Sequence, residues 1–436
     1  MKAFFAIFRL EFVSMVRSRA LLLLALFALA WMFAVPYLIT GDGTAEGARE
    51  ISIRYGFGGV FVITLVSLLA TASGSIARER AAKRLPLTMV RPVAYSLVVF
   101  AKAAALTLSG AIVLAIACLP ALRMSVDGRW HSSAKCNHVL QPLLPSPREE
   151  ACVMYEVYMK DPETPPEVKR AKRSTVLRLL EARAMDHYQT IPTNETVKWK
   201  FNVSGLPGAR KAIMGEGDDL PSVRLRLSNM NEVRQDVCGY LSIGKIHAVV
   251  SNQTLAVLTF PLSPRSDGGA AEENILSFRN DGSGTSLMLR PRKDVALLVP
   301  ADAFVWNLFR AWCELVSILA LTISFGLFLS SALGRPVALF SAIVILAVSE
   351  ASPGVISQYP DELETKLSDR IALTVTRFVA EATQPVSSLN PLERLSLDEC
   401  IEVPEVCRVA AVNLFLLPVL LSLLSGIVLP RKQDEV

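Results

Sequence analysis

The sequence predicts a polytopic α-helical membrane protein of about six transmembrane helices, carrying an extracytoplasmic α+β insert that contains a β-sandwich. Three observations predict it. The 436 residues are 52% hydrophobic and only 19% charged, below the usual quarter for soluble domains. The apolar residues gather in runs close to the ~20 needed to cross a bilayer. Between the third and fourth runs lies a long polar stretch, 121–302, which holds all four histidines.

The first element is an amphipathic helix over 1–19. Phe4, Phe5, Phe8, Phe12 and Met15 recur near helical spacing, with Lys2, Arg9 and Arg17 mostly off that stripe. That pattern suits a helix lying in the membrane interface. Nothing in it reads as a cleaved signal peptide. Residues 20–120 then hold three spans: Ala20 to Leu38, Gly56 to Ser75, and Val93 to Pro120. Lys102 lies inside the third, where its long stem can snorkel to the basic side.

Residues 121–302 change character halfway. The part from 145 to 190 is charged and helical in pattern. SVRLRLS, GYLSIGKIHAVVS, TLAVLTFPLS, TSLMLRP and VALLVP follow, short, partly alternating, and separated by Gly, Asp and Pro breaks. This is the pattern of an antiparallel sandwich.

Residues 303–436 return to the membrane. Phe304 to Leu333 opens with Trp306 and Trp312, as expected at an interface. Arg310 and Glu314, one turn apart, could pair. Val337 to Val348 begins a fifth span, interrupted by Glu350, Pro353 and Gly354, that either crosses or re-enters. Residues 361–382 place Leu363, Leu367, Ile371, Val375, Phe378 and Val379 on one stripe of an outer amphipathic helix. Val409 to Leu429 is the sixth span.

Basic residues set the topology. They cluster at 1–19, at 77–92, at Arg335 and at Arg431-Lys432. With six spans these four segments fall on one side, so both termini are expected in the cytoplasm and 121–302 outside it. The expected location is the inner (plasma) membrane.

The segment 76–92 is the most informative stretch. Glu79, Arg80, Lys83, Arg84 and Arg91 are interleaved with Leu85, Leu87, Met89 and Val90 before Pro92. Charge with interspersed apolar residues suits a helix seated in a partner's groove. A solvated loop that only fixes topology fits the charges equally well.

Glu79, the Leu85 region, Arg91-Pro92 and Lys102 resemble the segment between the second and third spans of type-2 ABC transporter permeases. Glu11 followed by Arg17-Ser18-Arg19 is similar to the elbow helix of that family. Six spans with a broken fifth and an outer helix before the sixth agree with it. The resemblance covers about 1–120 and 303–436, whereas the large insert departs from the short loop usual there. It implies that 76–92 is a coupling helix. Glu79, Arg80, Lys83, Arg84, Leu85, Arg91 and Pro92 would then dock a separate ABC ATPase subunit. It further implies a second permease copy or homologue, export driven by ATP bound on the partner, and no catalytic residues here.

Other chemistry is poorly supported. Gly239 to Ile246, GYLSIGKI, nearly fits a P-loop but puts Ile246 where the magnesium-ligating hydroxyl belongs, and a strand ending in a glycine turn explains it better. His131, His138, His187 and His247 lack metal spacing. Cys136-x-His138 is a weak ligand pair, and Cys152 and Cys238 offer disulfide chemistry instead. Cys400 and Cys407 are close enough in sequence for a small disulfide loop. No nucleophile or metalloprotease motif appears. Asn194, Asn202 and Asn252 each begin a glycosylation pattern. The basic clusters are too short and too poor in aromatics for nucleic acid. Glu350, as a polar break in a span, is a candidate pathway residue. Two rivals to transport remain: a membrane-anchored binding or signalling module, and a membrane enzyme acting on lipid or glycan.

Overall fold

Helices dominate the two ends of the chain, and small antiparallel sheets fill the middle. The computed structural model describes residues 2–39, 50–81, 94–123, 135–160, 173–185, 189–202, 221–226, 228–229, 237–243, 246–252, 257–261, 263–264, 275–281, 287–344 and 391–433. Two compact units emerge. One combines the N-terminal segment to Cys136 with the C-terminal part from Asp302, and the other is formed mainly by Asn137–Ala301.

The helical unit begins with α1 (Lys2–Arg17) and α2 (Ala20–Leu38). They meet at a bend of 59°. The bend passes through Arg19, whose φ of 58° is left-handed. That conformation is uncommon outside glycine and directs the chain sharply from one helix into the next. A π-helical turn, Ser52–Phe57, leads into α3 (Gly58–Ala81), and α4 is Tyr95–Arg123. After the insert come α7 (Phe304–Ala332) and α8 (Arg335–Val344). The last part holds α9 (Pro391–Ser396), α10 (Val403–Ala410), a second π-helical turn Ala411–Leu416, and α11 (Leu417–Gln433).

Four of these are long and apolar enough to cross a membrane: Ser52–Arg80, Tyr95–Leu122, Phe304–Ala332 and Val403–Leu429. The bent α1–α2 pair brings the number to five if it counts as one span. These helices fit a helical membrane protein. Of the fifth expected span only the helix Arg335–Val344 is described. Glu350 and the expected outer helix 361–382 lie outside the described residues.

Packing among these helices uses small residues. A Cβ on Gly110 of α4 would come within 2.7 Å of Leu68 on α3 and 2.9 Å of Leu319 on α7. The missing side chain therefore admits both neighbours at one point, the usual way apolar helices approach closely. Phe57, Leu68, Leu106, Leu114, Leu319 and Ile323 belong to the resulting core.

Among the described residues, the second unit contains two longer helices, a one-turn helix Pro291–Asp294 and most of the strands. Its longer helices are α5 (Pro147–Lys160) and α6 (Arg173–Met185), which pack through Ala151, Val176 and Leu180. Ser146 and Glu149 start α5 with a capping box: Glu149 N–H donates to Ser146 Oγ, and Ser146 N–H to Glu149 Oε2 at 2.9 Å. The Ser146 backbone N–H holds the Glu149 carboxyl below its ordinary range.

The helices do not come first, as the sequence pattern had suggested. β1 (Lys135–Leu140) precedes them because the strand that opens the insert pairs with the one that closes it. β1, β12 (Val295–Ala303), β4 (Ser222–Arg226) and β8 (Val257–Pro261) form one sheet in that order. A second runs β3 (Thr196–Lys200), β10 (Ile275–Asn280), β6 (Val237–Ile243), β7 (Ile246–Asn252), β9 (Ser263–Pro264). A third runs β2 (Gln189–Ile191), β11 (Leu287–Leu289), β5 (Ser228–Asn229). All three contribute to one apolar core, with Ile191, Trp199, Val223, Leu241, Phe278, Leu289 and Leu297 buried together. In β10 the alternate residues Leu276, Phe278 and Asn280 point inward, as strand periodicity requires.

The near P-loop GYLSIGKI is a hairpin. Gly239 to Ile243 belong to β6, and Ile246 opens β7 directly opposite Ile243. No helix follows, so the stretch cannot present backbone amides at a helix N-terminus as a phosphate loop does.

Candidate functional site

Of the described residues of 76–92, Glu79 meets Lys102. Its ammonium is 3% exposed in α4. It donates to Glu79 Oε1 at 2.6 Å, Ser75 Oγ at 3.0 Å and Glu11 Oε2 at 3.2 Å. All three ammonium protons thus have acceptors. Ser75 and Glu79 are one helical turn apart at the end of α3, so both face α4. Glu11 comes from α1, which lies along α4 with the Phe4 ring tilted against Phe100 at 5.8 Å between centroids. Phe8 and Phe12 continue the row of rings at 6.1 Å and 6.4 Å centroid spacing.

Three helices are therefore tied at one buried cation. The long stem of Lys102 carries its ammonium to two carboxylates inside the protein, one of them Glu79 of the basic segment. The second oxygen of Glu79, Oε2, is buried with no hydrogen-bond partner among the described residues. One lysine against two carboxylates leaves a negative surplus with one open acceptor, at the point where α3 leads into 82–93.

Arg80 has a different position. Its guanidinium donates to Ser331 O at 3.1 Å and Leu333 O at 3.2 Å. These carbonyls end α7, where helical acceptors lack intrahelical donors and a cation is favoured. Arg80 is thus a cap on α7, with both terminal nitrogens engaged. Replacing it by Ala is expected to lower stability by about 1.5–3 kcal/mol, the scale of hydrogen bonds to a charged donor. A thermal shift in detergent checks this, and Arg80→Lys should recover only part, since a lysine cannot span both carbonyls as a fork. Lys83, Arg84, Leu85, Arg91 and Pro92 lie outside the described residues.

A second polar cluster joins the start of α7 to 391–402. Arg310 does not pair with Glu314. Instead its Nη2 meets Asp302 Oδ2 at 2.6 Å, while Nη1 donates to Ile401 O at 3.1 Å and contacts Cys400 Sγ at 3.3 Å. Asn307 uses both ends of its amide: Nδ2 donates to Glu399 O, and Oδ1 accepts from Ile401 N–H, both at 2.8 Å. Arg394 donates to Cys400 O at 2.8 Å and to Glu405 Oε2 at 2.6 Å. Glu314 is 1% exposed, and its Oε1 has no partner among the described residues.

Cys400 and Cys407, the pair suggested by spacing, are both free thiols. Cys407 is exposed, whereas Cys400 is buried and turned toward Cys136. The spacing of Cys400 and Arg310 along the chain carries no hint of this contact. An apolar cavity of about 260 Å³ lies between α4 and α7, lined by Ala115, Cys118, Leu122, Leu308, Phe309 and Trp312. The Trp312 indole is already bonded to Ala111 O at 3.2 Å. No cluster of His, Cys, Asp and Glu among the described residues could hold a metal ion.

No protein-family model, curated protein or solved structure matches this chain.

Proposed function

We propose that this chain is the permease subunit of an ABC transporter, driven as an exporter by a separate ATPase and working as a dimer with a second permease. On this reading it has six spans and cytoplasmic termini, and its extracytoplasmic insert is a β-sandwich whose first and second strands are separated by two helices. The observation that carries the proposal is the Glu11–Lys102–Glu79 cluster. A permease must pass a stroke from a cytoplasmic contact into its spans. The cluster joins the N-terminal helix, the helix that enters 82–93 and the helix that leaves it, all through one cation. A push on 82–93 would therefore move three helices together.

Co-purification tests it. A nucleotide-binding chain should accompany the native complex, and Arg84→Glu or Arg91→Glu should reduce its recovery about tenfold or more, a loss of roughly 1.4 kcal/mol or greater. Unchanged recovery with both variants would remove 76–92 as the docking surface. A binding or signalling module is the second reading. The separate core of the insert, built by three sheets, favours it. An insert that captures a ligand from a chain with no associated ATPase would support that alternative.

A further inference from the structure

We propose that Cys136 and Cys400 form a disulfide in the mature protein, joining the start of the insert to the segment that precedes the last long helix. Two thiols converge here from positions far apart in sequence. Cys136, at the start of β1, is 0% exposed, and Cys400, between α9 and α10, is 6% exposed. The two thiols are neighbours, with the backbone of Asp302 beside Cys136, and Arg310 spans the pair, meeting Asp302 Oδ2 at 2.6 Å and Cys400 Sγ at 3.3 Å.

The scaffold around Cys400 is built to hold it there. Arg394 fixes its carbonyl, Arg310 reaches both its sulfur and the next carbonyl, and Asn307 ties the peptides on either side. Asp302 orients Arg310.

The electrostatics divide the roles. The Cys136 S–H donates to Cys400, and the Arg310 guanidinium adds its charge, so the Cys400 thiol is pulled down to about 7 against the cost of burial. Donation to Cys400, followed by burial, pushes Cys136 well up. Once Arg310 has docked 3.3 Å from its sulfur, Cys400 is the attacking thiolate and Cys136 the resolving thiol. The oxidant is a protein or small-molecule disulfide met outside the cytoplasm while the chain folds, before the pair is covered. Cys400 thiolate attacks one oxidant sulfur, the oxidant S–S bond breaks, and a mixed disulfide forms as the first oxidant thiolate leaves. Cys136 gives up its proton and attacks the Cys400 sulfur, releasing the second oxidant thiolate. Two electrons and two protons pass to the oxidant, which ends as two thiols.

The closed loop holds the whole insert and α7, so the bond restrains the unfolded chain strongly. The inference rests on the extracytoplasmic placement of 121–302, because such bonds persist where the compartment is oxidising.

The experiment uses the full chain in intact cells. An impermeant amine reagent is applied first, and free thiols are then alkylated under denaturing, non-reducing conditions. After digestion, mass spectrometry should find a peptide linked through Cys136 and Cys400. Exposed Lys198 and Lys200 should carry the outer label in the same run. In detergent, Cys136→Ser, Cys400→Ser and the double variant should share one lowered Tm. Dithiothreitol should bring the wild type to that same value and leave the double variant unmoved. Alkylated Cys136 and Cys400, or a linkage of Cys400 to Cys407, overturns the proposal. With Lys198 and Lys200 labelled from outside, such a result faults the pairing itself. With both lysines protected, it faults the topology beneath it. A wild-type Tm insensitive to reduction overturns it as well, and needs no variant to fold.

Discussion

Lys102→Ala should lower stability by about 3–5 kcal/mol, the usual consequence of removing one partner from a buried ionic cluster. Glu11 and Glu79 would remain facing a gap where the ammonium had been, and Ser75 would lose its donor. Membrane yield and Tm should both drop sharply. The mechanism makes a second expectation. With Glu11→Gln and Glu79→Gln added, Lys102→Met should recover much of the loss, because no uncompensated charge is left and the methionine fills the lysine's volume. Measuring Tm for the single and triple variants decides it. A triple variant no better than the single would mean that packing at α4, not charge, is what Lys102 supplies. Recovered stability with loss of the proposed transport activity is the outcome that would tie the cluster to the proposed coupling.

Phe278→Ala should cost a similar amount, about 3–5 kcal/mol, through the cavity left by a fully buried ring. The ring sits at the centre of the second sheet, opposite Leu241 on one side and Val197 on the other. It also lies over Gly239, where an added Cβ would approach Phe278 to 2.6 Å and the carbonyl of Arg279 to 2.8 Å. Gly239→Ala should therefore destabilise too, and Phe278→Ala should not rescue it, since the Arg279 carbonyl is backbone and cannot withdraw. Limited trypsin digestion reads this directly: 189–303 should become cleavable in each variant while α3, α4 and α7 stay resistant. Equal protease resistance in wild type and Phe278→Ala would place the core elsewhere.

The helices and the strand-rich insert were legible because burial leaves a periodic mark on sequence. Ala20 to Leu38 was read at its observed bounds, and Phe304 to Leu333 to within one residue. The second span runs further than hydropathy suggested, to Ala81 rather than Ser75. Arg78, Glu79 and Arg80 look like a loop to a hydropathy window, yet each is used inside the protein: Arg78 Nε on Gly74 O, Glu79 on Lys102, Arg80 on α7. The sixth helix begins earlier as well, at Val403, because Arg394 and Glu405 neutralise each other at its entrance.

The candidate site was only half legible. Lys102 and Glu79 stand out as charges beside apolar runs, and Glu11 had been noticed on α1. Nothing in local spacing says that these three meet, since each sits on a different helix. The Cys136–Cys400 contact is hidden for the same reason. Proximity in sequence pointed to Cys407, while the fold turns Cys400 the other way.

The insert opens with β1 and closes with β12, and those strands are neighbours in one sheet, about 4.8 Å apart. Cys136 already touches Asp302 at their ends. The helices on either side of the insert, α4 and α7, pack directly against each other. A helical core can thus acquire, lose or exchange this cassette at a single seam, without lengthening the path between its own helices. In the laboratory, a short turn could replace the insert.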